Sequence, residues 1–127
     1  MSLRSPLARV LYHGAAHDGV GHWWVQRVTA VALAPLALWL TVSLLALPDG
    51  YGAVCAWIGA GVHPVLLALT VLLAVWHSWL GLQVVIEDYV HGFLVKTASL
   101  LLSTFVHGLL AAGALYAVLR IALKAAA

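Results

Sequence analysis

Charged residues are absent from three long apolar runs of the chain, residues 28–47, 59–86 and 97–119. About 20 residues at 1.5 Å rise cross a hydrocarbon core of roughly 30 Å, so each run is long enough to span a bilayer as a single helix. The pattern predicts an all-α integral membrane protein with three transmembrane helices and a polar N-terminal arm over residues 1–22. The first helix is expected over residues 23–47, ending before the turn signal Pro48-Asp49-Gly50. Pro35 lies inside it and leaves the Val31 carbonyl without its helix partner, which favours a bend that membrane helices tolerate when neighbours compensate. A glycine-rich loop follows over residues 49–61, holding Tyr51 and Trp57. The second helix is expected over residues 62–86, with Pro64 in its first turn. A second loop should cover residues 87–96, and the third helix residues 97–119.

Composition narrows what such a chain can do. Of its 127 residues, 65% are hydrophobic and 8% charged, and three spans use more than half the length. That leaves no room for a water-soluble catalytic domain, so any chemistry is intramembrane or at a partner's surface. Residues 1–27 hold no apolar segment of signal-peptide type; they carry His13, His17, Asp18 and His22 instead. The single cysteine, Cys55, excludes an internal disulfide and any iron–sulfur cluster ligated by cysteines of this chain alone. A net charge of +2, spread along the sequence, does not suggest nucleic acid. The positives speak to topology. Arg4, Arg9, Arg27 and Lys96 fall on one side of a three-span layout and Arg120 and Lys124 on the other, four against two. The positive-inside rule then places the N-terminus in the cytoplasm and the C-terminus in the periplasm, in an inner membrane. Aromatic residues at the expected boundaries agree: Trp23 and Trp24, Tyr51 and Trp57, Tyr89 and Phe93, then Tyr116.

Candidate chemistry gathers on the second span. His77 stands in a run with no charge from Gly50 to Ile86, and an ionisable ring in hydrocarbon needs a partner. At 100° per residue His77, Gly81, Val84 and Asp88 share one stripe, with Asp88 three turns and about 16 Å beyond His77. Gly81, one turn from His77, leaves space for something flat against the helix. The residues leave two roles open for His77: axial haem ligand, or hydrogen bond to a neighbouring helix. Asp88 and Tyr89 close the apolar run. A phenol beside a carboxylate at the interface can donate to a carbonyl oxygen and relay a proton, and it also suits an aromatic belt. Arg27, at the mouth of the first span, can snorkel to lipid phosphate or pair with an anionic cofactor group, with His22 assisting. His107 lies at a depth matching His77, so a bis-histidine haem within this chain is geometrically open beside a plain polar contact. His63, His91, His13 and His17 read as interfacial, solvated or partner-facing. Gly14 and Gly19 argue against a helix around His13 and His17 that would make them a metal pair.

The pattern His77-x-Trp79-x-Gly81-x-x-Val84-x-x-x-Asp88-Tyr89-Val90-His91-Gly92, with Arg27-Val-Thr-Ala30 entering the first span, resembles the hydrophobic membrane-anchor family of succinate dehydrogenase, respiratory complex II. The resemblance covers residues 21–96, and its specific part is the eleven-residue step from the histidine to the Asp-Tyr pair. It implies a share in a larger helix bundle with a companion cytochrome b anchor subunit, docked to iron–sulfur and flavoprotein subunits. It implies that His77 is an axial ligand of haem b, the second ligand coming from the companion. It implies that Tyr89, supported by Asp88, hydrogen-bonds ubiquinone, and that Arg27 lies near a haem propionate. The role of His22 is less fixed by the motif, and His107 has none in it. No succinate site is expected in this chain. Two other readings stand beside this one: a stand-alone bis-histidine cytochrome b, and an anchor or accessory subunit without cofactor.

Overall fold

The computed structural model describes residues 14–126, which form four helices. These are α1 (Gly14–Ala46), α2 (Tyr51–Gly59), α3 (His63–Tyr89) and α4 (Phe93–Ala126). Three stretches are long and apolar enough to cross a membrane: Val20–Ala46, His63–Tyr89 and Phe93–Ala125. The protein is an all-α, multi-pass membrane protein. Arg4, Arg9 and His13 lie outside the described residues, as does the side chain of His17.

The helices run longer than the hydrophobic pattern suggested, and for a common reason. Once a helix exists, adding a residue gains a hydrogen bond without the cost of nucleation. Thus α1 reaches back to Gly14, through Gly14 and Gly19, although those glycines argued against helix there; about 1 kcal/mol per glycine does not break a helix already formed. It also runs through Pro35. At the same end of the bundle α3 continues three residues past Ile86 to include Glu87, Asp88 and Tyr89. The expected second loop shrinks to Val90, His91 and Gly92, and α4 starts at Phe93 rather than Thr97. Acidic residues at a helix C-terminus oppose the macrodipole. Here Lys96 answers them: its Nζ donates to the Glu87 carbonyl oxygen at 2.7 Å, bringing positive charge to the carbonyl end of α3. α4 extends beyond residue 119 to Ala126 and carries Arg120 and Lys124 on helix.

The other correction is α2. Residues 49–61 are not a plain loop, because Ala53 to Ile58 form an unbroken helix-compatible apolar stretch at the centre of a nine-residue helix. Gly61 has φ +50°, the left-handed turn that swings the chain into α3, where Pro64 occupies the first turn. Gly59 lets the end of α2 lie against the end of α4, since a Cβ on it would collide with the Ala125 side chain. Trp57 stacks on His63, centroids 4.8 Å apart, and on Trp39, 5.6 Å apart. His63 Nδ1 donates to the Trp57 carbonyl at 2.7 Å. Three rings therefore tie α1, α2 and α3 together at this end.

α3 is the shared element. Both α1 and α4 pack along it, and among the described residues they do not pack on each other. Both pairings are antiparallel: Thr29 meets His77 while Trp39 meets His63, and Trp79 meets Thr104 while Ser78 meets His107. Among the described residues only Leu80 and Ile86 form a buried apolar core. Lipid tails are as apolar as leucine, so helix association in a bilayer rests on packing and interhelical hydrogen bonds. The polar links across α1–α3 and α3–α4 are those bonds.

Candidate functional site

The site is built where α1 and α3 cross. His22, Gln26 and Thr29 are spaced i, i+4 and i+7 and line one stripe of α1. His77 and Gly81, one turn apart on α3, face that stripe. Thr29 is 4% exposed, and its Oγ1 lies 2.9 Å from His77 Nδ1. The same hydroxyl lies 2.9 Å from the Val25 carbonyl and 3.0 Å from the Gln26 carbonyl of its own helix. Gln26 Nε2 lies 3.4 Å from His77 Nε2, a long contact that gives little energy. A Cβ on Gly81 would stand 3.4 Å from that same Gln26 nitrogen, so the glycine makes room for the amide. Two buried polar atoms here have no partner among the described residues: His22 Nε2 and Gln26 Oε1. Buried polar groups are nearly always satisfied, so two orphans beside one imidazole mark a polar site rather than a sealed helix contact. The motif in the sequence assigns no role to Gln26 or Thr29; their signal there is the spacing, polar residues four and seven positions after His22 on a largely apolar helix.

Arg27 is not on this stripe. One residue from Gln26, it is turned by about 100° and is exposed. Its guanidinium lies 5.4 Å from the centroid of Trp23 in a cation–π contact, and it borders a shallow groove of about 270 Å³ with Trp24, Val28 and Val31. His22 therefore shares the α1 stripe of Gln26 and Thr29, and Arg27 does not.

Asp88 and Tyr89 form the last turn of α3, about 18 Å along the helix from His77 by residue count. Tyr89 is 78% exposed. Phe93 and Leu94, at the start of α4, are equally open. This end presents a phenol, a carboxylate and apolar side chains with no covering element from the described chain.

His107 has a different setting. Its Nδ1 donates to the Ser103 carbonyl at 2.8 Å, and its Nε2 lies 3.2 Å from Ser78 Oγ, which can donate to it. Both ring nitrogens are engaged. Beside it Trp79 Nε1 donates to Thr104 Oγ1 at 3.2 Å. His107 borders an apolar groove of about 560 Å³ between α3 and α4, with Trp76 and Trp79 in its wall. His77 and His107 point to different neighbouring helices.

At the opposite membrane boundary, Tyr51, Tyr116, Arg120 and Lys124 surround a pocket of about 270 Å³. Hydrogen bonding to the Cys55 thiol raises the Tyr51 phenol above its ordinary value, against the opposing charge of Arg120. Phenols and cations together are usual where a helix meets headgroups.

The architecture is that of a three-span membrane protein whose central helix carries a polar cluster at depth. The sequence matches the succinate dehydrogenase/fumarate reductase transmembrane subunit family over residues 1–119, and the chain belongs to that family. It is similar to the succinate dehydrogenase hydrophobic membrane anchor subunit of Rickettsia bellii, 33% identical over 88 residues, covering 68% of this chain and 70% of the relative. The subunit of the same description from Paracoccus denitrificans is 33% identical over 113 residues, covering 88% and 87%. The succinate dehydrogenase membrane anchor subunit of Reclinomonas americana is 30% identical over 108 residues, covering 74% and 82%. No solved structure matches the chain.

Proposed function

We propose that this chain is the cytochrome b-type membrane anchor of a succinate:ubiquinone oxidoreductase. In this reading it is a single membrane-anchor unit in an inner membrane, N-terminus in the cytoplasm, and it docks the iron–sulfur and flavoprotein subunits there. It contains no succinate site of its own. His77 would hold haem b together with a residue of the companion anchor subunit. The observation that carries the proposal is the His77 cluster: an imidazole at membrane depth, held by Thr29, with orphaned polar atoms of His22 and Gln26 beside it. The donor set fits an imidazole ligand. One ring nitrogen is engaged by a hydroxyl, and the other meets only a 3.4 Å amide contact that is easily given up. Bound there, haem b supplies one-electron chemistry within the membrane.

The remaining residues take supporting roles. Gly81 keeps the helix surface beside His77 low. His22 offers a polar atom on the same stripe. Arg27, exposed and turned away from His77, is suited to an anionic propionate or to a partner's surface. Ubiquinone is apolar and arrives through the bilayer, and its reduction takes two electrons and two protons. Tyr89 donates a hydrogen bond to the quinone carbonyl at the aqueous boundary, with Asp88 beside it to relay protons. The openness of that end supports a site completed by partner subunits. So does a layer in which α1 and α4 flank α3 without contact between them among the described residues. A bis-histidine haem within this chain finds no support, because His107 has both nitrogens engaged, one by its own helix and one by Ser78 of α3.

The test is the reduced absorbance spectrum of the purified complex. His77→Ala is expected to abolish the b-type bands; a mutant complex with wild-type haem content and spectrum would reject the assignment.

A further inference from the structure

We infer that Thr29 is the positioning residue for His77: its hydroxyl fixes the ring's tautomer, so that Nε2 carries the lone pair. This rests on the reading of His77 as an iron ligand.

A threonine hydroxyl has one proton and two lone pairs. Thr29 Oγ1 stands within hydrogen-bond distance of two backbone carbonyls of α1, those of Val25 and Gln26, at 2.9 and 3.0 Å. Carbonyls only accept, and threonine in a helix commonly returns its proton to the preceding turn. With the proton so directed, Oγ1 has only a lone pair to offer His77 Nδ1 at 2.9 Å. Nδ1 is then the protonated nitrogen and donates to Thr29. A neutral imidazole carries one proton, so Nε2 is left with its lone pair. The contact on the other side of the ring agrees, since Gln26 Nε2, a donor, faces His77 Nε2.

Two consequences follow from a fixed hydroxyl. Thr29 is β-branched, almost fully buried and tied to its own backbone, so Oγ1 is held in place and the imidazole plane is held with it. No bulk water competes for Nδ1 at this depth. The opposite tautomer would put a proton on the nitrogen that must bind metal. A hydrogen bond from Nδ1–H to an oxygen also raises the basicity of Nε2, which favours the ferric over the ferrous state and lowers the midpoint potential. Arg27, by contrast, lies on another stripe of α1 and does not touch the ring.

The experiment compares Thr29→Val with Thr29→Ser in the complete membrane complex. Valine keeps the shape and removes the hydroxyl; serine keeps the hydroxyl and removes the methyl group. Thr29→Val is expected to lower haem affinity about tenfold or more and to shift the midpoint potential of the haem that remains upward. It should also move the histidine ring band in the reduced-minus-oxidised infrared difference spectrum towards that of an unbonded Nδ1–H. Thr29→Ser should restore all three towards wild type. Unchanged haem retention and potential in Thr29→Val would overturn the proposal, and so would a serine variant as impaired as the valine one. If Thr29→Val does not assemble, the wild-type infrared band decides, and a free Nδ1–H there would overturn the proposal. A wild-type complex without b-type haem, or one whose spectrum survives His77→Ala, removes the ligand role of His77 and this inference with it. Loss of haem in His77→Ala with indifference to Thr29→Val removes only the role of Thr29.

Discussion

Two imidazoles lie at neighbouring levels of one helical layer and are treated differently by it. His107 sits against Ser78, the residue next to His77, and both its nitrogens are engaged, one by its own helix and one by α3. His77 turns the other way, to α1, where one nitrogen meets a buried hydroxyl and the other only a distant amide. The lesson concerns polar rings in hydrocarbon generally. Expense alone does not mark a functional histidine, because a fully bonded ring is a good interhelical clamp. What separates the two is the satisfaction of the ring and its surroundings. On the α1 stripe that faces His77, two further buried polar atoms lack partners among the described residues.

That contrast breaks first at His77. Replacing it with alanine is expected to remove the b-type absorbance entirely, as stated above, while the same spectrum in His107→Leu stays at wild type. Reversal of that pair of outcomes would exchange the roles of the two residues. Next in size is Tyr89→Phe, which separates proton chemistry from electron chemistry on α3. Ubiquinone reduction by the complex should fall roughly 100-fold, the scale of a lost proton donor, while succinate oxidation by an artificial dye is spared. Equal loss in both assays would make Tyr89 a structural residue. The cost of His107→Leu lies in stability: about 0.6–1.7 kcal/mol for a lost interhelical hydrogen bond, read from the denaturation midpoint of the solubilised complex. A neutral result would mean that the remaining links, Trp79–Thr104 and Lys96–Glu87, hold α3 to α4 without it. Smallest is Gly81→Ala. Its Cβ meets the flexible end of Gln26 at 3.4 Å, so the amide moves slightly and haem content stays within about twofold of wild type. Gly81→Leu should exceed the space and lower haem content measurably; tolerance of leucine would show that the surface beside His77 need not be low.

The differences between expected and observed elements have a shared cause. In the sequence, hydrophobic runs end where charge or glycine appears. The backbone follows hydrogen-bonding continuity instead, so α1 passes two glycines, α3 carries Glu87, Asp88 and Tyr89 on its last turn, and the chain over residues 49–61 gains α2. The change matters at Tyr89. On a helix its position relative to His77 is rigid, whereas on a loop it would not be.

The sequence by itself determined the number of spanning helices, the family and the residues with unusual chemistry. Those follow from runs of apolar residues and from fixed spacings along one helix, which are local properties. Only the tertiary structure decided what His77 faces. Rotation of α1 about its axis puts Gln26 and Thr29 against α3 and carries Arg27 about 100° away. Most residues of these helices are apolar, so only the short stripe of His22, Gln26 and Thr29 hints at that rotation. It is set by which few polar atoms find each other across the interface, and that pairing exists only once the helices have packed.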